Sequence, residues 1–174
     1  MRRSYSKFNE LLMNSAELKN KISDLRPNYS DKYRSMIETI SNKQEKIGKG
    51  NIAQFGPYFQ TFMYACVIGL RLGKPKYFES QEKTWEFAPL FRWKPEPIKD
   101  YLIMMLLNRS ADYGYNWIDL ENADDETIAK FLRAFVREME GYANAGFEYI
   151  SSKWEEERVM FSSPTVFVDL LLAL

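Results

Sequence analysis

The densest set of residues that could do chemistry is the acid cluster Asp119, Glu121, Asp124, Asp125 and Glu126. Carboxylates this close together can hold magnesium and present it to a phosphate. Acids just ahead of a helix have a second use. They cap its free amides and complement the positive end of its dipole, and that is the role we expect here. Histidine is absent from all 174 residues. Its absence removes Ser-His-Asp and Cys-His catalysis, histidine metal sites and the usual proton shuttle near neutral pH. The single cysteine, Cys66, stands in the middle of an apolar run, where a buried small hydrophobe is expected, and it can form no internal disulfide. Walker, dinucleotide-glycine and nucleophile-elbow patterns are lacking. The expectation is a chain with no catalytic residues, no metal and no cofactor.

The 24 basic and 24 acidic side chains cancel, but they are unevenly distributed. Residues 1–50 carry eleven Lys/Arg against six Asp/Glu, and residues 119–159 carry five against eleven. Arg2, Arg3, Lys7, Lys19, Lys21, Arg26, Lys32 and Arg34 could therefore neutralise the phosphates of a nucleic acid. Acids are interspersed among them, so solvated amphipathic helices lying beside the acidic region explain the same pattern. A second group, Trp85, Phe87, Phe91 and Trp93 with Lys83, Arg92 and Lys94, mixes flat apolar surface with cations. Such a mixture suits base stacking, a protein interface or an aromatic cluster beneath a loop.

Helices must position most of these side chains. Residues 54–73 are almost uncharged and apolar nearly all round, which predicts a buried central helix; Pro57 suits its first turn and Gly73 its left-handed end. Phe8, Leu11, Leu12, Ala16, Leu18, Ile22 and Leu25 predict an amphipathic helix over residues 4–25, broken by Pro27. Ser30 can cap a second helix over residues 31–46. The spacing predicts a second buried helix over residues 98–108, because Ile98, Tyr101, Leu102, Met105 and Leu106 share one face while Ile103, Met104 and Leu107 cover much of the rest. A long helix is expected from Asp124 or Asp125 through Trp154, with Gly141 and Gly146 marking either close packing or a kink. Trp85-Glu86-Phe87 alternates as a short strand or hairpin would. The tail, residues 163–174, is too apolar to stay in water, so Phe167, Leu170 and Leu171 either complete the core or meet a partner.

These elements predict a mainly α fold, a single-domain helical bundle around the central helix. Residues 1–50 would supply amphipathic helices, 51–160 the core helices and 161–174 a hydrophobic terminal helix. The central run is too short to span a bilayer, and the basic start lacks the features of a signal peptide, so a cytoplasmic protein with no membrane contact is expected.

Two separated stretches carry a family resemblance. Phe62-Met63-Tyr64-Ala65-Cys66-Val67-Ile68-Gly69-Leu70, followed by Gly73-Lys74-Pro75, is similar to an apolar helix and turn in the small accessory proteins encoded with DNA phosphorothioation (Dnd) systems, called Dnd system-associated protein 4. Glu140-Gly141-Tyr142-Ala143-Asn144-Ala145-Gly146-Phe147-Glu148 resembles the Tyr-Ala-Asn-small-Gly helix of the same family. The resemblance implies an accessory role in bacterial DNA modification, restriction or phage defence, and it brings no catalytic constellation. Tyr142, Asn144 and Gly146 are the matching positions; a buried Asn144 would pin a neighbouring turn.

The leading expectation is a non-enzymatic accessory protein that works through contacts with proteins of such a system. Trp85, Phe91, Arg92 and Trp93, with Phe167, Leu170 and Leu171, are its candidate interaction residues, and the terminal segment is a candidate for homo-oligomer contact. Two alternatives stand beside it: a DNA-binding module built on the basic helices, and a magnesium-dependent phosphate enzyme built on the acid cluster.

Overall fold

Two helices frame the molecule, one closed by a left-handed glycine and the other opened by an aspartate cap. In the computed structural model, which describes residues 15–41 and 56–174, the elements run as follows. First come α1 (Ser15–Ser23), β1 (Asn28–Ser30), a 3-10 turn (Asp31–Tyr33) and α2 (Arg34–Ile40). Next are α3 (Tyr58–Leu72), β2 (Thr84–Glu86), a 3-10 turn (Leu90–Arg92) and α4 (Glu96–Asn108). Two further 3-10 turns (Ser110–Tyr113 and Trp117–Asn122) lead to α5 (Asp125–Glu156), another such turn (Arg158–Ser162) and α6 (Val166–Leu172). The side chains of Ser15, Trp117, Glu121 and Asn122 lie outside the description.

α3 is the central buried helix that its composition predicts. Pro57 precedes it, and Gly73 closes it at φ 78°, giving its amide to the carbonyls of Gly69 and Leu70. α5, 32 residues long, starts where Asp124 accepts the Thr127 amide at 2.8 Å. The α3–α5 pair is the most extensive contact in the fold. Close packing, not a kink, accounts for Gly146: a Cβ there would overlap the Ala65 backbone of α3, and one at Gly69 would overlap the Tyr142 backbone of α5. Gly141 instead faces the side chains of Pro75 and Tyr77.

Around this pair Phe62, Phe87, Trp93 and Phe147 interlock, with ring centroids 5.0 to 6.1 Å apart for the three contacts Phe62–Phe87, Phe62–Trp93 and Phe87–Trp93 and the Phe62–Phe147 contact. Such tilted and edge-on contacts add to the burial of the rings themselves. Leu170 and Val166 of α6 belong to the same contiguous core, so the tail completes it.

One boundary needs correction, and one expected break takes a definite form. The second helix ends at Ile40, short of residue 46, with Ser41 already extended. Buried Ser41 shares a 2.6 Å hydroxyl hydrogen bond with Thr61 of α3, which ties the chain away from the helical path. The helix does break ahead of Pro27, and the segment after it is a strand: Asn28, Tyr29 and Ser30 pair antiparallel with Glu86, Trp85 and Thr84. The described part of the first helix begins at Ser15, and residues 4–14 lie outside the described residues. Among the described residues no helix is long and apolar enough to cross a membrane.

Candidate interaction surface

α4 is the main departure from the sequence reading. Leu102, Leu106 and the stem of Lys99 face inward against α3 and α5, while Ile103 and Leu107 are half-buried. The other side stands in solvent, with Ile98 40%, Tyr101 66%, Met104 61% and Met105 41% exposed. A second fully buried helix was expected; the fold instead buries one side and leaves an apolar stripe without a cover among the described residues. The reason is position. α4 lies at the margin of the α3–α5 pair, which can reach it from one side only.

The exposed stripe is bordered by a single half-exposed charge, Asp100. Within α4 past its first residue the only charged side chains are Lys99 and Asp100, which pair at 3.5 Å with Lys99 turned inward. Charge collects at the ends. Lys94 bonds Glu96 at 2.7 Å before the helix, and Arg109 meets Asp112 at 3.1 Å after it. Lys94 first, then Lys99 and Lys19, hold the Glu96 carboxyl below the usual carboxylate range.

The basic candidates have a different fate. Arg2, Arg3 and Lys7 lie outside the described residues. Lys19 is exposed on α1. Lys21 bridges Glu17 at 3.6 Å and Asp125 at 3.2 Å, joining the basic helix to the acidic one. Arg26 pairs with Glu86 at 3.0 Å, Lys32 with Glu82 at 3.2 Å, and Arg34 with Glu38 at 3.2 Å.

Arg26, Lys32, Arg34 and Trp85 do converge on the two-stranded ribbon. The Arg34 guanidinium lies 4.1 Å and the Lys83 ammonium 4.9 Å from the centre of the Trp85 ring, and the indole N–H donates to Asp31. This ring is thus already in contact with two cations. Beside it an open cleft of about 380 Å³ is lined by Asp31, Lys32, Glu79, Gln81, Glu82 and Lys83, a mixture of signs. Burial alone would raise the Glu82 carboxyl, yet Ser30, the Glu79 amide and Lys32 together hold it below its ordinary value.

The remaining candidates separate by depth. Phe91 and Arg92 are exposed, with the guanidinium 5.7 Å from the ring, whereas Trp93 is fully buried and donates its indole N–H to the Ala88 carbonyl at 2.8 Å. Leu170 is fully buried, Leu171 half-buried, and the Phe167 ring lies 4.1 Å from that of Tyr64. The tail therefore turns Phe167, Leu170 and Leu171 toward the molecule, and Val168, Leu172 and Leu174 are its exposed large apolar residues.

In the acid cluster, Asp124 caps α5, Asp125 meets Lys21, and Glu126 pairs with Lys130 at 2.7 Å, while Asp119 is exposed in its 3-10 turn. Asn144 pins a turn: its amide donates to the Lys76 carbonyl at 2.9 Å, and the Lys76 amide donates to the Gly141 carbonyl at 2.9 Å. Lys76 also pairs with Glu148. Sequence reasoning missed the inward acids of α5. Glu138 is buried and accepts from the Tyr77 hydroxyl, and Glu140 accepts from the Asn28 backbone at 2.7 Å and side chain at 2.9 Å. Burial pushes the Glu140 carboxyl above its usual range. Their positions beside buried Met139 were the available signal.

No protein-family model, curated protein or solved structure matches this chain. The chemistry of the surface must therefore be read from its own groups. Burial drives the Cys66 thiol far above its ordinary pKa and the Tyr33 and Tyr77 hydroxyls up to about 12. At neutral pH these groups stay protonated. What the surface offers is apolar area on α4, edged by balanced charge.

Proposed function

We propose that this chain is a non-enzymatic interaction protein whose working surface is the outer face of α4. One observation carries the reading: Ile98, Tyr101, Met104 and Met105 form an uncharged stripe patterned for burial and left exposed. Exposed contiguous apolar surface marks association sites, and Tyr and Met are enriched at the centres of interfaces while Lys, Glu and Asp are depleted there. The resemblance of the 62–75 and 140–148 stretches to Dnd-associated proteins names proteins of a DNA-modification or phage-defence system as the partners to try first. Nucleic-acid binding has less behind it, because Arg26, Lys32 and Arg34 each already face an acid and a phosphate would have to displace it. Phosphate chemistry on magnesium has less still, because Asp124, Asp125 and Glu126 serve as cap and ion-pair partners.

The test is to recover the tagged protein from its native host at natural expression, with and without nuclease, beside a Met104→Lys variant. The reading predicts a defined set of proteins that survives nuclease and is lost from the variant. Retention of the same set by Met104→Lys would reject it, and loss on nuclease treatment would move nucleic acid to first place.

A further inference from the structure

By count residues 119–159 are acidic, yet the middle of α5 turns a basic face outward. Between Glu126 and Glu148 the helix carries only two acids, and the chain itself engages both: Glu138 is buried against the Tyr77 hydroxyl, and half-buried Glu140 holds Asn28. The three cations of the same span, Lys130, Arg133 and Arg137, are exposed. Their spacing of three and four residues puts them on one face of the helix. Glu126 pairs with Lys130 at 2.7 Å, whereas Arg133 and Arg137 have no acid partner among the described residues. The face continues onto the 74–77 turn, which lies across the next turn of α5: Pro75 and Tyr77 meet Gly141, and Asn144 holds the Lys76 carbonyl. That turn adds exposed Lys74 to the row, with Lys76 closed on Glu148. The Arg137 guanidinium lies 4.2 Å over the Tyr77 ring, whose hydroxyl is anchored by Glu138. Stacking occupies the flat face of a guanidinium and leaves its in-plane N–H donors free.

Independently of the α4 reading, we infer that this face of α5, from Lys130 through Arg137 to Lys74, binds the phosphate backbone of a nucleic acid. Charge and shape together name the occupant. From Lys130 to Gly141 the row runs about 17 Å along the helix, and a phosphate backbone offers it charges at regular intervals. A guanidinium held flat presents a fork of donors that matches a phosphate. The large apolar anchors that a protein partner would need are limited on this row to Tyr77, 40% exposed, whereas a phosphate contact needs only a placed donor. These cations are distinct from Arg26, Lys32 and Arg34, which already face acids. Phosphate contacts carry no sequence information, so the binding is expected to be indifferent to base sequence.

Fluorescence anisotropy of the full chain with short labelled oligodeoxynucleotides, single-stranded and duplex, tests this over a range of salt. For a duplex contacted by Lys74, Lys130, Arg133 and Arg137, the logarithm of the affinity should fall against that of salt with a slope of about −3 to −4. Arg133→Gln together with Arg137→Gln should weaken binding at low salt by about tenfold or more and reduce the slope by about 2, with the circular dichroism unchanged. Because Arg137 also touches Tyr77, Arg133→Gln alone is the cleaner variant, and it should reduce the slope by about 1. Met104→Lys on α4 should leave this binding intact, so the two surfaces are tested separately. Failure of both probes to bind at low salt overturns the inference, and so does binding that Arg133→Gln and the double exchange leave unchanged. Displacement by polyglutamate as readily as by unlabelled oligonucleotide of equal charge overturns it too, and marks an acidic polypeptide as the occupant.

Discussion

Gly146 of α5 faces Ala65 of α3 so closely that a Cβ on Gly146 would overlap the Ala65 carbonyl oxygen. The reciprocal contact, Gly69 against the Tyr142 backbone, lies on the same helix pair. Between them they set the separation of the two longest buried helices.

Gly146→Ala should therefore destabilise the fold by about 1–3 kcal/mol, the usual range for overpacking, even though alanine is intrinsically the better helix former by about 1 kcal/mol. Gly141→Ala is the comparison. Its obstacles are side-chain atoms of Pro75 and Tyr77 at 2.9 and 3.0 Å, not the backbone of a facing helix at 1.8 Å, so its effect should be smaller. Urea midpoints of the two variants decide the matter. A Gly146→Ala protein as stable as the parent would mean that the helices do not approach as described.

Glu140 predicts a pH dependence. Its folded carboxyl lies above the usual range because burial disfavours the charge more than the two Asn28 hydrogen bonds favour it. The folded state then binds the proton more tightly than the unfolded chain. Its contribution to stability falls as pH rises from the ordinary carboxylate value through the raised one, and the full penalty remains above that. Gln at 140 keeps an oxygen for Asn28 and cannot ionise. Unfolding by denaturant should thus favour Glu140→Gln over the parent more at pH 7 than in mild acid; a difference that does not change with pH would contradict the assignment.

Cys66 should behave as a silent thiol. It is fully buried, its Sγ lies 3.7 Å from the Met139 carbonyl, and burial opposes thiolate formation. Labelling then requires opening of the α3–α5 pair, so a maleimide should react at least about a thousandfold more slowly with native than with unfolded protein. Mass spectrometry over a time course measures this. Native labelling at the unfolded rate would show that α3 is not buried as described.

Much of the frame could be read in advance because its signals are local. Pro57 and Gly73 bound α3, Asp124 starts α5, and Ser30 accepts the Lys32 amide just as a cap should. β1 was not legible, since Asn28, Tyr29 and Ser30 are defined by partners at Glu86, Trp85 and Thr84 and by no pattern of their own. The α4 surface was half legible. Hydropathy gives an apolar helix, but whether neighbours suffice to cover it depends on where it lands relative to α3 and α5. Trp93 and Phe91 make the same point: they stand two residues apart in one aromatic run, and a single 3-10 turn sends one inward and the other out.

The central claim is that the outer face of α4 is covered in the working assembly, and the methionines report on it directly. Met104 and Met105 are exposed in the isolated chain, whereas Met36, Met63 and Met139 are buried within it. Peroxide footprinting of the assembly recovered from the host, beside the purified chain diluted to monomer, should oxidise Met104 and Met105 readily in the diluted chain and slowly in the assembly. The three buried methionines should be slow in both. Equal oxidation of Met104 and Met105 in the two samples would contradict the claim.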